Sequence, residues 1–153
     1  MTSSFSLSRF WSIMGCTLIL IFLLNIDYTA VNMTLVPISK ELNIDLNILQ
    51  WLLSAYVLIW GALVVPCGRL ADLYGKKKMY LIGLCIFTFG SFILGVGSSI
   101  EVLILGRVIQ GIGGALMSAP LYSIIFTTAP KHMQAFAIGI IASASGVGLS
   151  IGP

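Results

Sequence analysis

The apolar positions of this chain fall into five long runs, about residues 11–36, 48–67, 79–96, 102–126 and 135–153, with short polar breaks between them. Crossing a ~30 Å hydrocarbon core takes ~20 apolar residues in a helix, so runs of this length predict membrane spans. Barrel-like segments of short alternation are missing, and lipid tolerates no unpaired backbone groups, which leaves helices. Pro37 is expected to break the first, with Lys40, Glu41 and Asp45 making a short connection. Gly97-Ser98-Ser99 reads as a tight turn, and Thr127 to Gln134, carrying Lys131 and His132, as a loop. The expected class is all-α: a polytopic transmembrane bundle forming one domain over residues 1–153, with the fifth span still open at its end. Transporters are commonly built from three-helix units; spans one to three read as one unit and spans four and five as the start of the next.

Composition agrees. Hydrophobic residues make up 58% and charged residues 8%, where a soluble domain carries roughly 25% charged. Four of the eight basic residues lie in Gly68-Arg69-Leu70-Ala71-Asp72-Leu73-Tyr74-Gly75-Lys76-Lys77-Lys78. A short basic loop of this kind stays cytoplasmic, because Lys and Arg are not readily translocated. Alternating sides from it puts Arg9, Lys131 and the N-terminus inside as well, with only Lys40 outside. The expected location is therefore the cytoplasmic (plasma) membrane. The net charge of +3 reflects this topology and gives no reason to expect nucleic acid as a partner. Cys16, Cys67 and Cys85 form no CxxC pair, and one His completes the inventory, so neither a metal cluster nor a disulfide framework is expected. The first run is too long for a signal-peptide core of ~7–15 residues and is expected to remain as a span.

Two charges fall inside the spans: Asp27 in the first and Arg107 in the fourth. Each costs ~2.5–3.5 kcal/mol near a helix centre. At ~1.5 Å per residue, Asp27 lies about 15 Å below Pro37 and Arg107 about 9 Å below Glu101, in the same outer half of the bilayer. We expect them to face a common polar cavity, either as a structural ion pair or as a proton-exchanging one. Burial disfavours the charged form of an acid and a nearby cation favours it, so a carboxylate beside a movable guanidinium can take up and release a proton. Arg107, Gln110, Gly111, Gly114 and Ser118 share one face of span four, and Asn25, Thr29 and Asn32 one face of span one. Gly111 and Gly114 read as helix-packing positions, as do Gly148, Gly152 and Pro153, where tight packing would precede a kink.

Other motifs carry less. Asn32-Met33-Thr34 matches a glycosylation sequon, but inside a span no transferase reaches it. Gly111-Ile112-Gly113-Gly114 follows no strand and is not a dinucleotide loop. In the basic stretch, Gly68 and Gly75 are expected to permit turns, Asp72 to interact with a helix N-terminus, and Lys76, Lys77 and Lys78 to lie at the headgroups. The set reads as a gating turn.

Four stretches resemble the major facilitator superfamily, in particular its drug:proton antiporter branch with fourteen spans. Gly68 to Lys78 looks like the loop motif between spans two and three, departing at Leu73, where a basic residue is usual. Asp27-Tyr28-Thr29-Ala30-Val31-Asn32 is similar to the first-span motif, and Leu103 to Ala115, with Arg107, Gln110 and Gly111, to the span-four motif associated with proton transfer. Gly148 to Pro153 looks like the opening of the span-five antiporter motif. The resemblance covers five spans of an incomplete N-terminal six-helix half. It implies that spans one and four line a central cavity and that Asp72 and its loop lock against a second, C-terminal half.

The function expected from residues and resemblance together is proton-coupled efflux of small amphipathic or cationic compounds, with the proton gradient as energy source and no cofactor. The alternative is a truncated, non-transporting membrane fragment acting at most as a helix-packing partner. An intramembrane enzyme is disfavoured, because no nucleophile, base and orienting group converge at one depth.

Overall fold

The computed structural model describes residues 7–128 and 131–151. They form five helices: α1 (Leu7–Leu42), α2 (Leu46–Tyr74), α3 (Lys76–Val96), α4 (Ile100–Thr128) and α5 (Lys131–Ile151). The described residues contain no strand. Four of the helices, α1 to α4, are long and apolar enough to cross a membrane, and the described apolar stretch of α5 is Met133–Val147. This is a multi-pass membrane protein.

Two expected breaks are not breaks. α1 runs through Pro37, giving up only the bond that the missing N–H would have made to the carbonyl one turn earlier. It stops at Asn43, which takes a left-handed conformation with φ 53°. There the Ile44 N–H bonds to the Ser39 carbonyl at 3.2 Å, and Ser39 Oγ donates to the Ile44 carbonyl at 2.8 Å, closing the helix end. The second correction concerns the basic stretch. α2 continues through Pro66 and Gly68 to Tyr74, and α3 begins at Lys76, so the only non-helical residue between them is Gly75. Its φ of 98° lies where only glycine is comfortable, whereas Gly68 makes no turn. At 29 residues, α2 is ~43 Å long and extends past a ~30 Å core; its charged end is helix, not loop.

α4 is the central helix. More than half of its most apolar stretch is buried, against less than a third of the corresponding stretches of α1 to α3. One face packs on α2 and α3 through Cys67, Ala71, Met79, Ala115, Leu116 and Ala119. Another meets α1 through Leu20, Met117 and Leu121, while Phe10, Met14 and Ile21 of α1 pack on Ala137 and Ile141 of α5. The closest approach is between α3 and α4. A Cβ on Gly113 would lie 2.5 Å from the Phe87 nitrogen, and one on Gly83 2.8 Å from the Gly113 carbonyl oxygen. Gly90 and Gly106 repeat the arrangement seven residues along each helix: a Cβ on Gly90 would lie 2.9 Å from the Gly106 carbonyl oxygen. Backbones in contact stand in for the side-chain packing that lipid does not drive.

Candidate functional site

At the middle of the bundle the two intramembrane charges meet. Arg107 Nη1 donates to Asp27 Oδ2 at 2.8 Å, and its Nη2 lies 3.5 Å from the Asp27 carbonyl oxygen. Arg107 is fully enclosed at 0%, while Asp27 keeps 26% of its side chain exposed. Gln110, one turn along α4, joins both: its Oε1 accepts from Arg107 Nη1 at 2.8 Å and its Nε2 donates to Asp27 Oδ1 at 3.3 Å. Both carboxylate oxygens are therefore engaged. From α3, Ser91 Oγ accepts from Gln110 Nε2 at 2.6 Å. From α2, the Tyr56 ring lies beneath the guanidinium, 5.5 Å from centroid to Cζ, a favourable cation–π placement in a site away from water. Arg107 Nε is the one buried side-chain nitrogen or oxygen without a partner among the described residues.

Beside this network is a cavity of ≈ 300 Å³, lined by Asn25, Tyr28, Tyr56, Trp60, Ser118 and Ser145 with apolar neighbours. The ion pair adjoins it and does not line it; Tyr56 belongs to both. Three of its walls are aromatic, Tyr28, Tyr56 and Trp60, with the Tyr28 and Tyr56 centroids 6.4 Å apart. Trp60 Nε1 is held by Ser118 Oγ at 3.1 Å, and Ser118 in turn donates to the Gly114 carbonyl at 2.8 Å. Gly111 and Gly114 pack where expected, against α2. A Cβ there would meet the Tyr56 carbonyl oxygen at 3.0 Å and the Trp60 ring at 3.3 Å respectively.

The remaining span-one polar residues do not join the ion pair. Asn25 Nδ2 donates to the Ile21 carbonyl at 2.7 Å and Thr29 Oγ1 to the Asn25 carbonyl at 2.8 Å. Each satisfies itself on its own helix, although Asn25 also borders the cavity. Asn32 is exposed and lies apart from both. At the α2–α3 junction no side chain caps α3; Asp72 instead pairs with Lys76 at 3.9 Å, and Lys77 and Lys78 are exposed. Gly148 lies within α5, and Gly152 and Pro153 fall outside the described residues.

Sequence reasoning missed Ser91, Tyr56 and Trp60. Nothing marks an aromatic inside an apolar span as a wall of a site, and Ser91 is a single hydroxyl in a greasy run. The seven-residue spacing of Gly83 to Gly90 and of Gly106 to Gly113 was a legible sign of the close α3–α4 contact.

The family model described as Major Facilitator Superfamily matches residues 17–153. The chain belongs to the Major Facilitator Superfamily. Among curated superfamily proteins it is similar to the riboflavin transporter RibZ of Clostridioides difficile, with 29% identity over 94% of this chain and 31% of that protein. It is 34% identical to the multidrug resistance protein Stp of Mycobacterium tuberculosis over 87% of this chain and 25% of that protein. To a probable actinorhodin transporter of Streptomyces coelicolor it is 32% identical, over 95% of this chain and 25% of that protein. The chain thus spans about a quarter to a third of the length of these superfamily relatives.

Proposed function

We propose that this chain is the N-terminal part of a proton-coupled efflux transporter that exchanges small amphipathic or cationic compounds for protons across the cytoplasmic membrane. The observation that carries the reading is the Asp27–Arg107 pair, 2.8 Å apart with one member sealed and the other still 26% exposed. An arginine stays charged, so the mobile proton belongs to Asp27. When Asp27 is ionised, Arg107 ties α1 to α4. A proton on Asp27 removes the charge that holds the tie, and α1 is freed to move against α4.

The adjoining cavity is suited to the other half of the exchange. Tyr28, Tyr56 and Trp60 offer flat faces to an apolar or cationic group, and Asn25 and Ser118 supply polar contacts. Tyr56 connects the two events, since a ligand that displaces its ring leaves the guanidinium to Asp27, which favours the ionised carboxylate and release of its proton. In this reading the proton gradient supplies the energy and no cofactor is required. A C-terminal half supplies the opposite wall, and Asp72, Gly75 and the lysines of the α2–α3 junction gate the cytoplasmic side, where the N-terminus also lies. The relative named for multidrug resistance supports export, and those named as riboflavin and actinorhodin transporters support a small-molecule substrate.

The test is transport by the full-length protein in everted vesicles carrying an imposed pH gradient. Asp27→Asn should abolish gradient-driven accumulation while leaving downhill exchange of substrate. Undiminished gradient-driven transport by Asp27→Asn would remove the basis for the mechanism.

A further inference from the structure

We propose that Ser91 of α3 is a positioning residue that draws the amino end of the Gln110 amide toward α3 and thereby sets how readily Asp27 accepts a proton; this rests on the proton-coupled reading above. Ser91 Oγ donates its single proton to the Phe87 carbonyl at 3.1 Å. Toward Gln110 it is left with lone pairs and can only accept. The end of the Gln110 amide that meets α3, 2.6 Å away, therefore has to be the amino group. That turns Oε1 toward Arg107 Nη1 at 2.8 Å and leaves the second Nε2 hydrogen for Asp27 Oδ1 at 3.3 Å. The reversed amide would set its oxygen against the carboxylate and its amino group against the guanidinium, so the charged pair holds the same orientation and Ser91 accepts from the end that the pair leaves toward α3.

The distances add a second effect. The amino group sits closer to Ser91, at 2.6 Å, than to Asp27, at 3.3 Å. Ser91 thus draws the amide toward α3 and leaves Asp27 with the longer bond. Close approach of the helices makes this possible: a Cβ on Gly90, the residue before Ser91, would lie 2.8 Å from Gln110 Cγ. The charged or titratable groups facing Asp27 from the helices packed on α1 are Arg107 of α4 and Tyr56 of α2, and the described side chains of α5 bring none. Among the described side chains, no acid or base besides these two competes with the amide for control of this carboxylate.

Without Ser91, Nε2 is free to close on Asp27 Oδ1, which favours the ionised carboxylate. The experiment is an infrared pH titration of the full-length protein in lipid, following the protonated-carboxyl band that Asp27→Asn removes. In Ser91→Ala the band should appear about half a pH unit lower than in wild type, the effect of one strengthened hydrogen bond. Ser91→Thr, which keeps the hydroxyl, should titrate as wild type. Ser91→Cys, a weak acceptor of similar size, should shift in the same direction as Ser91→Ala and carries the test if that variant does not fold. An unchanged or higher titration in Ser91→Ala, or in Ser91→Cys in its place, overturns the role of Ser91 while leaving the proton-coupled reading intact. A wild-type protein in which no band is lost with Asp27→Asn overturns both.

Discussion

Removing one member of the Asp27–Arg107 pair should cost much more on one side than on the other. Arg107 is at 0% exposure and keeps its charge, so Asp27→Ala leaves a buried cation with Gln110 Oε1 at 2.8 Å, the residue-27 carbonyl at 3.5 Å and the Tyr56 ring against it, and no counter-charge. Breaking a buried pair in this way costs about 3–5 kcal/mol. Arg107→Met leaves Asp27 instead, which is 26% exposed, keeps a 3.3 Å bond from Gln110, and can neutralise itself by taking up a proton. Its cost is about 1–3 kcal/mol, that of one lost charge-assisted bond. Asp27→Ala should therefore be the less stable single variant by about 2 kcal/mol, roughly thirtyfold in the unfolding equilibrium. The double variant should be no less stable than Asp27→Ala, because the stranded cation is gone. Equilibrium unfolding of the full-length variants in lipid–detergent micelles measures all three. Equal costs for the two single variants would refute the asymmetry, and with it the reading of Arg107 as sealed and Asp27 as the member open to protons.

Other expectations follow from the packing. Gly113→Ala places a methyl 2.5 Å from the Phe87 nitrogen and 2.8 Å from the Gly83 carbonyl oxygen, backbone atoms that cannot turn aside. It should destabilise by about 1–3 kcal/mol in the same unfolding assay. Gly68→Ala is the opposite case, inside a helix and 3.9 Å from the nearest heavy atom, Ala119 Cβ; it should be neutral or stabilise by up to about 1 kcal/mol. At the α2–α3 junction, Gly75→Ala forces a Cβ onto φ 98° and should cost about 1 kcal/mol or more. Lys76→Ala loses a 3.9 Å pair with an Asp72 side chain that is 64% exposed, and should stay within about 0.5 kcal/mol of wild type.

The lengths and order of the spans were legible because lipid imposes one simple requirement, a run of apolar residues long enough to cross it. The pairing of Asp27 with Arg107 was legible for a related reason, since two costly charges at one depth have strong cause to meet. What the pattern misplaced were helix ends. Pro37 and Gly68 look like stops, yet each costs a single bond or some backbone entropy that a long helix absorbs, and the actual stops are Asn43, which the pattern did not mark, and Gly75, which it did. Rotation about the helix axes was also hidden. Asn25, Thr29 and Asn32 share a face on paper, but the first two bond to carbonyls one turn earlier on their own helix and the third is exposed. Ser91 enters the network only because glycines bring α3 against α4, and such a contact belongs to two helices at once.

The central claim is that a proton on Asp27 and the Arg107 bond to it exclude one another, and that ligand binding draws on this competition. It is tested most directly by measuring proton release when tetraphenylphosphonium, an amphipathic cation, is added to the purified full-length protein in weakly buffered solution. The wild-type protein should release protons on binding, and Asp27→Asn should bind the cation and release none. Equal release from both proteins would contradict the account.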